Sequence, residues 1–305
     1  MIPTVTVVMP AYNSSEYLRE SIESVLAQTF KNFELLVIND GSIDNTSQIV
    51  RSYIKRDSRV KLISQTNQGV SAARNRGISL SKSEYIAFID ADDTWFPEKL
   101  NSHIESFKRD KNLGVSFARV TFLNTKGKLA GIATARLTKL KPQHFLYENP
   151  TITVSNLVVK REVFESIGNF DTSMNYAEDL DFLLRVITSN KWKIEGFNKI
   201  LMAYRTTTSG LSSNLYRMEE GWEILAAKAN SYAPDLINKH YWYARSIHLR
   251  YLARRALRLR LPSKVSVDFM TRGLMSNWQI IFREPRRTIL TMLAVYGKDL
   301  IKFKI

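Results

Sequence analysis

Short apolar runs alternate with helical repeats along the first hundred residues of the chain. The runs are rich in Val, Ile and Leu and predict strands at 5–9, 34–39, 60–64 and 84–89. The repeats predict helices at 18–26 and 70–80, and Asp44 is expected to cap another helix at its N-terminus. Apolar strands that alternate with helices indicate a parallel sheet covered on both faces, and such sheets bind ligands beyond the carboxyl ends of their strands.

The pattern is more mixed between residues 97 and 215. It predicts helices at 97–108 and around Leu180–Ile187, and strands at 115–123, 151–159 and 194–204. The polar stretch 124–150 is expected to form a loop or a lid. After residue 215 the pattern is helical only, and Pro262 and Pro285 separate the candidate helices.

The formal net charge of +15 is concentrated at the C-terminal end of the chain. Residues 236–305 hold 15 basic and 3 acidic residues, a net charge of +12, whereas residues 1–235 carry only +3. The sequence therefore predicts a near-neutral globular unit that is followed by a basic helical segment.

Several classes of protein are excluded by the composition. The chain has no Cys, and its four His residues lack the spacing of metal ligands, which argues against disulfides and a zinc hydrolase. No Gly-x-Gly occurs and no Gly precedes Gly41, so the dinucleotide-binding fingerprint and the Walker A loop are both absent. The longest apolar run is about half the ~20 residues of a membrane-spanning helix, and no signal peptide is expected. We therefore expect a soluble protein that at most sits on a membrane surface.

The segment Asp90-Ala91-Asp92-Asp93 directly follows a predicted buried strand. Three carboxylates within four residues repel one another unless a cation neutralises them. Carboxylate oxygens favour Mg²⁺ or Mn²⁺, which typically bind one or two carboxylates together with substrate phosphates. Trp95, two residues further on, is expected either to line the wall of a sugar site or to pack in the core.

Other acidic residues lie where strands end or helices begin. Asp40 follows the second predicted strand, and Glu178, Asp179 and Asp181 open a predicted helix. Such residues are either catalytic or serve as turn and cap residues that complement a helix N-terminus. Each position taken alone leaves both interpretations open.

Five short segments occur together in a characteristic order: 7–13, 36–42, 67–75, 90–93 and 177–181. In this order and spacing they resemble the family-2 inverting glycosyltransferases of the GT-A fold. The resemblance covers about residues 4–210. It implies an α/β GT-A catalytic domain at 1–215, with a nucleotide-binding half at about 1–100 and an acceptor half at about 101–215. Residues 216–305 are expected to form the basic helical extension.

The resemblance also implies which residues bind the nucleotide sugar. These are Pro10, Ala11, Tyr12, Asn13, Asp40, Arg74, Asn75, Asp90, Ala91, Asp92, Asp93, Trp95 and Arg205. Asp40 would accept a hydrogen bond from the base, which favours uracil, Arg74 would contact the base or diphosphate, and Asp90 would bind the ribose. Arg205 would lie beside a mobile loop over the diphosphate.

The resemblance also implies which residues take part in catalysis and bind the metal ion. Asp179 would be the catalytic base, Glu178 would help to orient the acceptor or the donor sugar, and Asp92 would hold Mn²⁺ or Mg²⁺ against the diphosphate. A divalent cation and Arg stabilise the negative charge that develops on the leaving diphosphate. A carboxylate base commonly contributes about 10²–10⁴-fold by removing the proton of the attacking hydroxyl.

We therefore predict a metal-dependent inverting glycosyltransferase. It would move a sugar from a nucleotide-diphosphate donor, expected to be UDP-linked, to a hydroxyl of a glycan or lipid-linked acceptor in surface polysaccharide biosynthesis. A polyprenyl-phosphate glycosyltransferase is the nearest alternative. A nucleic-acid-binding protein lacks a recognised motif here, and a sugar-1-phosphate nucleotidyltransferase would need a Gly-rich loop near its N-terminus. A non-catalytic sugar-binding relative would tolerate loss of Asp92 or Asp179, and both are present.

The basic C-terminal segment allows two interpretations. Its arginines, Arg250, Arg254, Arg255 and Arg258, either form a solvated face that braces the catalytic domain or dock on an anionic membrane surface. For docking, the amphipathic stretch at 288–303 would lie in the interface. This interpretation predicts a cytoplasmic enzyme that is peripheral on the inner face of the membrane, with no nucleic acid as partner.

Overall fold

The computed structural model describes residues 2–124, 127–133, 135–206 and 213–302, with side chains as far as residue 297. The chain divides into two compact units. The first contains Met1–Leu140 and Pro150–Thr206, and the second contains Lys141–Asn149 and Thr207–Ile305.

Nine strands are found among the described residues. They are β1 (Val5–Ala11), β2 (Phe33–Asp40), β3 (Val60–Gln65), β4 (Tyr85–Phe88), β5 (Thr94–Trp95), β6 (Leu113–Leu123), β7 (Leu129–Ile132), β8 (Val158–Lys160) and β9 (Lys193–Arg205). The helices are α1 (Leu18–Leu26), α2 (Thr46–Ile54), α3 (Val70–Leu80), α4 (Lys99–Arg109), α5 (Pro142–Tyr147), α6 (Arg161–Ile167), α7 (Glu178–Thr188), α8 (Leu215–Tyr232), α9 (Pro234–Arg258), α10 (Ser263–Ser276), α11 (Ile280–Arg283) and α12 (Pro285–Lys302). A 3₁₀ turn spans Val154–Asn156.

The strands of the first unit form one sheet in the order β3-β2-β1-β4-β8-β6-β9-β5, and β7 pairs with β6. The four strands β3, β2, β1 and β4 are parallel, as the alternating pattern predicts. The other half of the sheet, for which the sequence predicts no strand direction, is mixed: β6 and β9 are parallel, whereas β8 and β5 are antiparallel to their neighbours. Every residue of β1 and β2 is buried, which explains their nearly continuous apolar sequence.

Two stretches differ from the sequence prediction. Only the end of 151–159 is a strand, because the polar residues before it form the 3₁₀ turn. The expected loop at 124–150 contains the strand β7 and the helix α5, and α5 belongs to the second unit. Helix α2 begins after Asn45, although Asp44 still accepts a hydrogen bond from Thr46 N.

The second unit is helical, as the pattern after residue 215 predicts. Its core contains Leu249, Leu252 and Phe269, and the Trp222 indole donates to Leu146 O of α5 at 3.1 Å. Arg250 is buried and pairs with Glu284 at 2.6 Å, so this arginine braces the helices and is not part of a solvated basic face. No helix in the described part of the chain is long and apolar enough to cross a membrane.

Candidate active site

The candidate site lies where the parallel strands end. Because β1, β2 and β4 run in the same direction, the residues that follow them meet at one edge of the sheet. The turn after β1 is tied to the turn after β2: Asn13 N donates to Ser42 Oγ at 3.0 Å, and Ile43 N donates to Asn13 Oδ1 at 2.9 Å. Asn13 has a φ of 48°, a conformation that Asn tolerates better than most residues. Pro10 and Ala11 end β1, and Tyr12 is exposed.

Asp40 shapes the loop that leads into α3. Its Oδ1 accepts hydrogen bonds from Gln65 Nε2 at 2.8 Å and Gln68 N at 2.9 Å, and its Oδ2 accepts one from Gly69 N at 2.8 Å. These contacts correspond to the turn-residue interpretation of Asp40. Its hydrogen bond to a nucleotide base stays a prediction.

Arg74 connects the two acidic segments of the site. Its buried guanidinium donates from Nη2 to Asp90 Oδ1 and from Nη1 to Glu178 Oε1, both at 2.8 Å. Helix α3 thereby ties the end of β4 to the start of α7. The Nε atom of Arg74 is buried and has no hydrogen-bond partner among the described residues.

Asp92 and Asp93 differ in their surroundings. Asp93 is fully buried, and its Oδ1 accepts from Arg205 N at 2.9 Å. Burial and the neighbouring charges of Asp92 and Asp90 raise the pKa of Asp93 well above its ordinary value. Asp92 is half-buried, and burial together with the charge of Asp90 raises its pKa to about 6. Ala91, which lies between Asp90 and Asp92 in the sequence, is buried.

Arg205 holds this acidic turn in place. Its Nε donates to Asp92 O at 2.9 Å, its Nη2 donates to Glu20 at 2.5 Å, and its guanidinium lies 4.2 Å from the centre of the Tyr17 ring. The Arg205 side chain is buried and held by these contacts, and its binding of the nucleotide sugar stays a prediction. Residues 207–212, where the sequence suggests a mobile loop, lie outside the described residues.

Helix α7 presents its first turn to the site. Glu178 and Asp179 are the first two residues of this helix, where the helix dipole favours negative charge. The preceding Ala177 has a left-handed φ of 59°, which is unfavourable for a residue with a Cβ and fixes the direction in which the helix starts. Burial raises the pKa of Glu178 to about 7, although the charge of Arg74 opposes this shift.

Two more of the predicted binding residues, Asn75 and Trp95, make hydrogen bonds within the protein. The Asn75 side chain makes hydrogen bonds with both the backbone N and O of Phe170, which positions the segment before α7. Trp95 is 4% exposed and its indole donates to Ser155 O at 3.0 Å. The packing interpretation therefore describes Trp95, because its ring lies in the core and not along the wall of a cleft.

A buried polar network behind the acidic turn was missed in the sequence. Lys99 is fully buried and donates to Asn156 O at 3.1 Å, and its Nζ lies 3.2 Å from His103 Nε2. Ser155, next to Asn156, accepts from Asp90 N at 2.8 Å. The sequence does contain a signal for the burial of Lys99, because this residue lies on the same side of α4 as the buried apolar residues Leu100, Ile104 and Phe107.

A divalent cation fits this arrangement only with help from a substrate. Among the residues that the structure describes, no three His, Asp or Glu side chains come together as a metal cluster. Asp92 offers a partly exposed carboxylate whose pKa is raised by burial and by the charge of Asp90. A bound cation would favour the ionised carboxylate and so oppose both effects. One carboxylate with diphosphate oxygens matches the usual coordination of Mg²⁺ by nucleotide-binding enzymes.

Solved structures share this fold. The mannosyltransferase PcManGT from Pyrobaculum calidifontis, in complex with GDP-Man and Mn²⁺, superposes with a TM-score of 0.63 over 98% of this chain and 88% of that chain. S. aureus TarS 1–349 in complex with UDP-GlcNAc gives a TM-score of 0.62 over 90% of this chain and 92% of that chain. Both are 18% identical to this chain, so the likeness concerns the fold. The protein therefore has the predicted GT-A-like α/β fold with a C-terminal helical region.

Sequence relatives identify the family. Residues 6–168, more than half of the chain, match Glycosyl transferase family 2. The glycosyltransferase MJ1057 of Methanocaldococcus jannaschii, itself uncharacterized, is 30% identical over 208 residues, which cover 67% of this chain and 71% of that protein. TuaG of Bacillus subtilis, named as a candidate teichuronic acid biosynthesis glycosyltransferase, is 28% identical over 224 residues, with coverage of 70% and 84%. The chain belongs to glycosyl transferase family 2 and is a glycosyltransferase.

Proposed function

We propose that the protein transfers a sugar from a nucleotide-diphosphate donor to an acceptor hydroxyl with inversion at the anomeric carbon. The observation that carries this proposal is the double ion pair of Arg74, which ties Asp90, at the donor side, to Glu178, next to the candidate base. Residues from the segments 67–75, 90–93 and 177–181 therefore act as one unit.

Asp179 is the proposed catalytic base. Its position in the first turn of α7 favours the ionised carboxylate, which can accept a proton from the acceptor hydroxyl. Glu178 is held by Arg74 and orients the start of the helix, so it is suited to positioning and less to proton transfer. In-line attack opposite the leaving diphosphate inverts the anomeric centre without a covalent enzyme intermediate.

The donor is proposed to lie along the carboxyl ends of the parallel strands. The turn at 10–13 and Asp40 would surround the base, Asp90 would bind the ribose, and Asp92 would hold Mn²⁺ or Mg²⁺ against the diphosphate. The bound cation would supply charge stabilisation for the leaving group. UDP is the proposed nucleotide because of the resemblance at Asp40, and the complexes of TarS with UDP-GlcNAc and of PcManGT with GDP-Man support the wider class of nucleotide-sugar donors as fold-level analogies.

The acceptor is proposed to be a glycan or a lipid-linked glycan in surface polysaccharide assembly. The name of the relative TuaG, which refers to teichuronic acid biosynthesis, supports this proposal. The enzyme would then work in the cytoplasm, at the inner face of the membrane, where its lipid-linked acceptor is found.

A screen of nucleotide sugars tests the proposed donor class. Each candidate is incubated with the full chain, with and without Mn²⁺, and both the release of nucleoside diphosphate and protection against thermal unfolding are measured. We expect a UDP-sugar to protect in the presence of Mn²⁺ and to lose this protection in Asp92→Ala. The matched control is Glu98→Ala, which removes an exposed acidic residue six positions away. Equal protection of Asp92→Ala and the wild type would refute the metal assignment.

A further inference from the structure

Helix α12 exposes apolar residues although part of it is buried. Its buried face carries Thr288, Thr291 and Val295, whereas Leu290 and Leu293 are 59% and 65% exposed. The buried hydroxyls have partners: Thr288 Oγ1 accepts from Arg250 Nη1 at 2.8 Å and donates to Ile280 O at 3.1 Å. The helix is thus held in its unit by these polar contacts and by the packing of Val295 against the apolar core, and it leaves its leucines outside.

The exposed residues of α12 form a continuous stripe. Arg286, Ile289, Leu290 and Leu293 are all exposed and follow the spacing i, i+3, i+4 and i+7, which places them on one face of the helix. Soluble helices normally turn such a stripe toward the core. Here the same stripe has no cover among the residues that the structure describes.

Two further apolar side chains are exposed just before α12 in the sequence. Trp278 and Phe282 are 62% and 71% exposed, and their rings contact each other edge to face with centroids 5.7 Å apart. We call the set of Trp278, Phe282, Ile289, Leu290 and Leu293 the apolar docking surface. Aromatic and leucine residues of this kind are typical of helices that lie in a membrane interface.

The positive charge around the apolar docking surface favours an anionic partner. Arg283 and Arg286 are exposed, and the segment 236–305 that contains the apolar docking surface carries a net charge of +12. A second copy of the chain would bring these like charges together. An anionic lipid surface is complementary to them, and each basic residue near it contributes about 1 kcal/mol.

We propose that the apolar docking surface inserts into the interface of an anionic bilayer, with Arg283 and Arg286 at the level of the lipid headgroups. This proposal rests on the proposed site of action at the membrane and names the residues that would hold the enzyme there. It differs from the sequence-based expectation, in which Arg250 is part of the basic face, because Arg250 is buried.

Vesicle flotation tests the proposal with the full chain. The vesicles are phosphatidylcholine with or without about 30% phosphatidylglycerol, which supplies the negative surface charge. We expect the wild type to bind only the anionic vesicles, and Leu290→Gln/Leu293→Gln to bind at least about tenfold more weakly because apolar area is lost. The matched control is Ile224→Gln/Leu261→Gln, which removes exposed apolar side chains elsewhere in the helical unit and should bind like the wild type.

Depth of insertion is measured through Trp278. Doxyl groups on the lipid chains should quench part of the wild-type fluorescence, and this part should be missing in Trp278→Phe. Equal binding of the wild type and the double Gln variant, or equal binding to neutral vesicles, would overturn the proposal. A wild-type dimer in sedimentation that the double Gln variant abolishes would also overturn it, since the surface would then bind a second copy.

The test is independent of the proposed reaction. A wild-type protein that releases nucleoside diphosphate but does not bind anionic vesicles would refute the docking surface alone. Intact vesicle binding by a protein that processes no nucleotide sugar would refute the reaction and leave the docking surface standing.

Discussion

Arg74 and Glu178 are 104 positions apart in the sequence and form a buried ion pair, with Nη1 and Oε1 at 2.8 Å. The same guanidinium holds Asp90 through Nη2. A buried charge that loses its partner is strongly destabilising, so the three side chains are interdependent. The start of α7, and with it Asp179, is therefore positioned by a residue of α3.

Replacing Arg74 should destabilise the protein. Arg74→Met removes the buried cation that pairs with the partly buried Asp90 and Glu178, and we expect the free energy of unfolding to fall by about 3 kcal/mol. Arg74→Lys keeps the charge but cannot bind both carboxylates as the guanidinium does, so the free energy of unfolding should fall by less than in Arg74→Met. Urea denaturation measures both. Arg76→Lys, on the exposed face of the same helix, is the control and should change the stability by less than about 0.5 kcal/mol.

Asp179→Asn should separate catalysis from donor binding. An amide cannot accept the proton of the attacking hydroxyl, so the transfer rate should fall by about 10²–10⁴-fold. Donor affinity, measured by calorimetry, should stay close to the wild-type value because the proposed donor contacts lie on other elements. Glu165→Gln removes an exposed carboxylate nearby in the sequence and should retain full activity. Near-normal turnover of Asp179→Asn would show that another group is the base.

The first half of the fold could be predicted from the sequence because its signals are local. Strands β1, β2 and β4 are buried on both faces, so their apolar runs are easily recognised, and the acidic residues at the ends of β2 and β4 mark the sheet edge. The order of the five short segments then indicated the family. These features depend only on neighbouring residues along the chain.

The partners of the site residues could not be predicted in this way. The pairing of Arg74 with Glu178, and of Asp93 with Arg205, joins segments that are far apart in sequence, and periodicity carries no information on such contacts. The prediction of a strand at 151–159 is wrong before residue 158, because the alternating polar and apolar residues of this part also fit a period of two. Its polar side chains are buried and serve the 3₁₀ turn instead.

Lys99 should make the stability depend on pH. Burial lowers the pKa of Lys99 to about 7 in the folded protein, although the charge of Asp93 opposes this shift. In the unfolded chain the pKa of Lys99 is near its ordinary value of 10.5. Between these two values the unfolded state binds more protons than the folded state, so stability should rise with pH by at most about 1.4 kcal/mol per unit. Chemical denaturation at several pH values above 7 measures this slope.

The contribution of Lys99 is isolated by comparison of two variants. Lys99→Met removes the titrating group, and the rise in stability with pH should flatten relative to the wild type. Lys108→Met, on the exposed side of the same helix, should keep the wild-type slope. The same slope in all three proteins would mean that Lys99 is not the origin of the pH dependence.

Gly77 fixes how closely α3 approaches β1, and therefore where Arg74 lies. A Cβ at this position would be 2.3 Å from Val8 Cγ1, which is far closer than two carbons can approach. Ala normally stabilises a helix relative to Gly by about 1 kcal/mol, but here the overpacking should reverse the sign and destabilise by about 1–3 kcal/mol. Val8→Ala removes the two closest contacts and leaves only Val8 Cβ at 3.1 Å, so Gly77→Ala should destabilise less in the Val8→Ala background than in the wild type. Denaturant midpoints measure the series, and a Gly77→Ala protein as stable as the wild type would contradict the close packing of α3 on the sheet.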